Sequence, residues 1–378
     1  MCSSLARRHA DVATPNVRTA YARSVTTPYS DETFFHQLLA KAISSHASDI
    51  HIKVGQPPGA RIRGEMVYFK TAKVTAADTD AVAMRVIRQP EVRERIAELQ
   101  EFDTSYDVPA LGRFRLNIYR QRGSLAIVMR FIPSELPSID ELGLPSVTRD
   151  LAEKENGMVL LTGAAGNGKS TSIAAMLSHL NATRSLHIVT IEDPIEYVHS
   201  DLLSSVSQRE VGLDTESFAK ALRSALRQDP DVIFVGEIRD EETMEIALKA
   251  AETGHLLLST LHTTDASRTI NRMLALMSGD AQENRLRIAN ALQGIIAQRL
   301  LPKADATGIV LAAEVLVVTH LVRESIRRPE HNPPLKALME KGVHPYGMQT
   351  FQMHVEQLLE EGVIDDVTMR ETLGLAQS

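Results

Sequence analysis

Cysteine is almost missing from this chain: Cys2 is the only one in 378 residues. A single thiol excludes an internal disulfide and any zinc cluster built on several thiolates, and it agrees with a reducing compartment. Tryptophan is absent and aromatic residues amount to 4%, against a hydrophobic content of 43%. The interior must therefore be built from Leu, Ile, Val, Ala and Met. No apolar run approaches the roughly 20 residues that cross a bilayer, and the longest candidate, Ile309 to Val318, is broken by Glu314. The chain is expected to be soluble and to meet a membrane only indirectly. Basic charge is also short, because the formal net charge is −7, which argues against a dedicated nucleic-acid binder. Residues 1–30 carry Arg7, Arg8, Arg18 and Arg23 among Ser, Thr, Ala and Pro without the apolar core of a signal peptide. They read as a disordered tail.

The length exceeds what one core usually organises, so two domains are expected. From Asp31 apolar residues recur at helical spacing, which predicts a helix over Thr33 to Ser45. A strand follows at Asp49 to Val54, in which His51 reads as structural. Gly55 to Gly59 is a turn, Ala60 to Phe69 its partner strand, and Val74 to Leu99 a helical stretch interrupted at Pro90. Arg113 to Arg120 and Ser124 to Phe131 alternate in the manner of a hairpin turning on Arg122-Gly123. In that register Leu116 faces Met129, Ile118 faces Ile127 and Arg115 faces Arg130, with Arg113 on the arginine side. Opposed like charges cost stability unless an anion or carboxylate sits between them. The plainer alternative is a solvated basic face. Pro133 to Pro137 punctuates the chain, so the boundaries are a tail 1–30, a first domain 31–133, a linker 134–142 and a second domain 143–378.

The second domain contains Gly163-Ala164-Ala165-Gly166-Asn167-Gly168-Lys169-Ser170, which fits G-x-x-x-x-G-K-[ST] between an apolar run, Met158 to Thr162, and a helix-like segment from Thr171. Glycines let a backbone fold around an anion with its N–H groups inward, the helix N-terminus adds partial positive charge, and Lys169 adds a full one. The Ser170 hydroxyl is placed to hold Mg²⁺, and Thr171 continues the nucleotide-binding stretch. Further apolar runs at His187–Ile191, Val232–Val235, Leu256–Thr260 and Ile309–Val317 alternate with helical patterns at about 170–180, 215–228, 240–253, 265–277 and 282–299. Asp240 is a plausible N-cap and Gly254 a helix stop. Such alternation implies a mostly parallel sheet covered on both faces, whose ligands bind outside the carboxyl ends of the strands.

Three polar clusters follow these runs. Glu192, Asp193 and Glu196 could hold Mg²⁺ through water or orient the attacking water. Glu237, after Asp231 to Gly236, is placed to polarise the water beside a γ-phosphate. Gly254 to Thr263 contains His255 and His262, and His262 could touch that phosphate or pass its state to a neighbour. Each has a plainer alternative in N-cap carboxylates, a surface Glu or a hydrogen-bonded core His.

Together these features resemble the ATPases of type II secretion, type IV secretion and type IV pili, above all the pilus-retraction family. The carriers are Ser48 to His51, the Walker A loop Gly163–Ser170, an Asp box at Glu192–Tyr197, Walker B at Asp231–Glu237 and a His box at Gly254–Thr263. Ser207–Gly212, Ala221–Pro230 and Ala250–His255 are similar too. The resemblance implies an α/β protein with a small PAS-like α+β N-terminal domain, then a RecA-like P-loop ATPase domain with a C-terminal helical region from about 320. It implies ATP and Mg²⁺ as cofactors, with Asp193 and Ser170 on the metal, partly through water. It further implies a homohexamer, an inner-membrane pilus platform protein as partner, a paralogous retraction ATPase as a further candidate partner, and a place in the cytoplasm at the inner membrane. Arg115 and Arg130 match the family's arginine-finger pair, and Lys169, Glu192, Glu196, Glu237 and His262 its catalytic positions. The extension and type II secretion branches usually carry a four-cysteine zinc site and extra N-terminal domains, so the resemblance points to retraction. An accessory, regulatory paralogue is the competing reading. Ala165 and Asn167 stand where the family usually has Thr and Ser, and Ser325 to Glu330 only approximates its retraction motif.

Overall fold

The structure, a computed structural model, describes residues 27–62, 64–109, 111–132 and 136–375. Most of the tail and residues 134 and 135 of the expected linker lie outside them. The chain divides into two compact units, one of residues up to Phe102 with Asn117–Met129, the other of Asp103–Leu116 with Arg130 onward. The division runs through three strands of the first sheet.

That sheet follows helix α1 (Glu32–Ser44), which starts where the Asp31 carboxylate accepts the Thr33 N–H. Its strands are β1 (Ala47–Lys53), β2 (Gly59–Ile62), β3 (Glu65–Tyr68), β4 (Glu101–Val108), β5 (Gly112–Gln121) and β6 (Ser124–Ile132), in the order β3-β2-β1-β6-β5-β4. Helices α2 (Ala76–Val86) and α3 (Pro90–Glu94) precede β4. Two expectations change here. Ala60 to Phe69 is two strands, because Gly64 at φ +86° reverses the chain between them. Glu101–Val108 is a strand that its charged composition concealed. The β5–β6 turn falls on Arg122 and Gly123, both at positive φ (48° and 80°), the combination that tight hairpins require. Leu116, Ile118, Ile127 and Met129 are buried, while Arg115 and Arg130 are exposed.

The second sheet explains the continuous apolar runs. Its strands are β7 (Gly157–Thr162), β8 (His187–Glu192), β9 (Ser205–Glu210), β10 (Val232–Val235), β11 (Leu256–Leu261), β12 (Leu292–Pro302) and β13 (Ile309–Val317), ordered β13-β12-β7-β11-β10-β8-β9. All neighbours are parallel except β12 and β13. Alternate residues enter two cores. Met158, Leu160, Val189, Ile233 and Leu257 pack beneath α6 (Phe218–Ala225), α7 (Glu241–Glu252), α8 (Ala266–Ala275) and α9 (Ala281–Ala291). Val159, Leu161, Ile188, Val232 and Leu258 pack beneath α4 (Val147–Ala152) and α5 (Lys169–Thr183). A strand buried on both faces has no polar side to show, so period-two alternation disappears. Asp240 caps α7 by accepting from Thr243 N–H at 2.8 Å, as expected. The helix expected over 282–299 is a correction: α9 ends at Ala291 and the rest is β12. Its Ile295 and Ile296 are both fully buried on opposite faces, and a Cβ at Gly294 would lie 2.6 Å from Leu151. β9 is a second strand the sequence reading did not contain, being polar and at the sheet edge. Helices α10 (His320–Arg327), α11 (Leu335–Lys341), α12 (Phe351–Glu360) and α13 (Asp366–Leu373) close the chain. Among the described residues no helix is long and apolar enough to cross a membrane.

Candidate nucleotide-binding site

Parallel strands end together. Thr162 pairs with Leu261, and Val235 pairs with Ser259 and with Ile191, so the phosphate loop and the three polar clusters leave the sheet along one edge. They line a cleft of about 310 Å³ with Ala165, Gly166, Lys169, Ser170, Glu192, Asp193, Glu196, Glu237 and His262 in its wall. His255 is not brought there. It precedes β11 rather than following it, so it stands at the opposite end of the strand, its Nδ1 3.1 Å from the Ala250 carbonyl.

The phosphate loop is shaped by close approach. Gly163 (φ +145°), Gly166 (+81°) and Gly168 (+75°) occupy conformations that L side chains avoid, and a Cβ on Gly163 would lie 2.5 Å from the Gln298 carbonyl of β12. Lys169 is 7% exposed, and its Nζ donates to the carbonyls of Gly163 at 2.9 Å and Ala164 at 3.0 Å. Burial lowers its pKa, while Glu237 and Glu196 act in the opposite direction. An ammonium so placed is ready to exchange loop carbonyls for phosphate oxygens. Asn167 gains a reason here: its Oδ1 accepts from Leu300 N–H at 3.2 Å and its carbonyl accepts from Gln298 Nε2 at 2.6 Å, tying the loop to β12. Thr171 Oγ1 lies 2.9 Å from the Tyr197 hydroxyl.

Glu237 has 15% of its side chain exposed and is held between the Arg239 guanidinium at 2.5 Å and the His262 imidazole, whose Nε2 lies 3.4 Å away. The two contacts hold its carboxylate in one orientation. Glu192 is the buried member of the acidic stretch. Thr190 Oγ1 and Gln208 Nε2 both donate to its Oε1, at 2.7 and 3.1 Å. Burial nevertheless pushes its pKa up to about 7. Because the folded value lies above the unfolded one, its stabilising contribution is complete below about pH 4.5 and is lost as pH rises through 7. Chemical unfolding of nucleotide-free protein should therefore show Glu192→Gln close to wild type at pH 5. At pH 8 the variant should gain on wild type by on the order of 3 kcal/mol. The same difference at both pH values would mean that Glu192 is ionised throughout.

Of the arginines, Arg115 lines the cleft and reaches Glu196 at 3.2 Å, with 43% and 34% of the two side chains exposed. Such half-solvated pairs contribute roughly 0–1 kcal/mol, so Arg115 can exchange Glu196 for phosphate at little cost. Arg130 is exposed on β6, outside the cleft wall. Arg113, expected on the same face, turns instead into a buried pair with Glu210. Of the neighbouring residues, Arg239 lies outside the stretches singled out in the sequence, two residues beyond the strand-end Glu237, while Gln208 and Tyr197 lie inside Ser207–Gly212 and Glu192–Tyr197 but carry no role of their own in the sequence reading.

A family model for type II/IV secretion system proteins matches residues 30–320. The chain is 40% identical to the type IV pilus retraction ATPase PilT of Pseudomonas aeruginosa over 336 residues, 89% of this chain and 96% of that one. It is 37% identical to the type IV pilus ATPase PilU of the same organism, covering 91% and 89%. The fold superposes on a crystal structure of the pilus retraction motor PilT with bound ADP at a TM-score of 0.81 and 43% identity, covering 89% of this chain and 95% of that one. With its phosphate loop, acidic stretch and strand-end glutamate on one cleft, the chain belongs to the type II/IV secretion system protein family and is one of its ATPases.

Proposed function

We propose that this ATPase is a ring motor that withdraws type IV pili. The observation that carries the reading is the convergence of Lys169, Ser170, Glu237 and Arg115 on one cleft, in a chain that matches PilT over nearly its whole length. In this reading Lys169, the loop amides and the arginines take the phosphates, and Glu237 activates water. Glu192 and Glu196 assist, and His262 relays the state of the γ-phosphate. Ser170 and Asp193 offer hard oxygen donors of the kind Mg²⁺ takes together with waters and substrate phosphates. Mg²⁺ bound there would neutralise charge building on the β- and γ-phosphates. Change of nucleotide state then moves the first domain, 31–133, about the linker 134–142 against the second. Six copies form the ring at the cytoplasmic face of the inner membrane, and a membrane platform protein receives the motion.

Deleting the gene tests the role directly. Pili should remain assembled, in normal or excess number, and fail to withdraw when followed by fluorescence microscopy. Loss of surface pili would point to assembly instead. Similarity to PilU over 91% of the chain, with Ala165 and Asn167 in the phosphate loop, favours a second reading as an accessory subunit beside a paralogous motor. Unchanged pilus dynamics, together with no steady-state phosphate release from purified protein, would select it.

A further inference from the structure

The acidic stretch leaves β8 at Glu192 and runs on without regular structure, yet its carboxylates must stand still in the cleft. Ile195, between Asp193 and Glu196, has both peptide groups held. Arg113 Nε donates to the Ile195 carbonyl at 2.8 Å, and the Ile195 N–H donates to Glu210 Oε2 at 3.2 Å. That Glu210 oxygen also accepts from Arg113 Nη2 at 2.5 Å and from Ser105 Oγ at 3.1 Å. Asp107 takes Arg113 Nη1 at 2.9 and 3.0 Å. The Arg113 and Glu210 side chains are only 10% and 6% exposed. Gln208, on the same face of β9 as Glu210 by the period of a strand, holds the flanks. Its Nε2 donates to Glu192 Oε1 and, at 2.8 Å, to the Tyr197 carbonyl, and its Oε1 accepts from His199 N–H at 2.8 Å.

We propose that Arg113 and Glu210 act as one positioning unit of the ATPase, setting where Asp193, Glu196 and Arg115 stand without touching nucleotide themselves. Neither residue lines the cleft. Arg115 lies two residues beyond Arg113 on β5 and bonds Glu196 one residue beyond Ile195, so the buried fork registers the arginine strand against the acidic loop next to the functional pair. A guanidinium suits the task because it offers donors in a fixed plane to a carbonyl and two carboxylates at once, whereas an ammonium is a point charge. The unit belongs to turnover: it fixes the carboxylates and the arginine, while the phosphate loop that binds nucleotide is held separately by β12.

The proposal rests on the cleft being the site of hydrolysis, and the test separates the two. Arg113→Lys, Glu210→Gln and the double variant are compared with wild type for thermal unfolding, ADP affinity without Mg²⁺, kcat, and the Mg²⁺ concentration giving half-maximal rate. Expected are wild-type ADP affinity, a kcat lower by about 10–100-fold and a raised Mg²⁺ requirement, the usual scale for groups that orient metal-binding carboxylates. The double variant should be no slower than the slower single one, since both remove the same unit. Should Arg113→Lys fail to fold, Glu210→Gln and Ser105→Ala carry the same readouts. An unchanged kcat, a loss that merely follows the folded fraction, or multiplying losses in the double variant would overturn the proposal. Lys169→Ala is the control: normal turnover there would sink the cleft assignment and the positioning unit with it. Its inactivity beside a fully active Arg113→Lys would sink the positioning unit alone.

Discussion

Lys169→Ala should abolish ATP turnover and weaken nucleotide binding, whereas Glu237→Gln should bind ATP and hardly hydrolyse it. The two residues share the cleft but act on different parts of the reaction. Lys169 brings a buried positive charge to the loop proposed to take the phosphates, so on that reading its loss removes attraction in both the ground state and the transition state. Glu237 faces the cleft with its carboxylate pinned by Arg239 and His262. Glutamine keeps the size of that group and removes its basicity, which commonly costs about 10²–10⁴-fold in rate while leaving the binding contacts in place. Phosphate release read alongside ADP titration separates the outcomes. Near-normal turnover in Glu237→Gln would take Glu237 out of the general-base role.

Alanine at Arg115 or at Arg130 should reduce turnover far more than nucleotide affinity. An arginine that meets the phosphates late in the reaction stabilises charge that develops there, and such a finger is commonly worth 10³-fold or more in rate. Arg115 rests on a half-exposed Glu196, a pairing weak enough to be exchanged, and Arg130 is exposed. Replacing either should therefore change folding stability by only about 0.5 kcal/mol. A crystal structure with nucleotide should place at least one of the two on a phosphate or on a carboxylate of the acidic stretch in closed subunits, and away from it in open ones. If both alanine variants hydrolyse ATP at the wild-type rate while still forming the wild-type oligomer, the hairpin is a basic surface and nothing more.

What could be read from the chain alone was whatever depends on neighbours in sequence. The phosphate loop is contiguous, with its glycines, Lys169 and Ser170 in one stretch, and Asp240 lies directly before the helix it caps. Val232–Val235 and Ile309–Val317 have the same limits as apolar runs and as strands, because a strand covered on both faces has no polar side to show. Glu192, Asp193, Glu196, Glu237 and His262 were found together because each lies at or just beyond a strand end, and parallel strands end at one edge. His255 fell outside for the same reason, since it precedes its strand.

Only the tertiary structure decided where the apolar pattern was ambiguous or absent. Leu292 to Leu301 has apolar residues at spacings that serve a helix or a strand equally, and insertion beside β7 makes it β12. β4 and β9 are polar, and no local pattern separates such strands from loops. The pairing of Arg113 with Glu210 joins residues 97 apart, and Gln208 meets Glu192 only because β9 lies beside β8. Pattern records which face of an element is apolar. The partner of a buried charge is set by which elements the fold lays side by side, and no spacing within the chain encodes that.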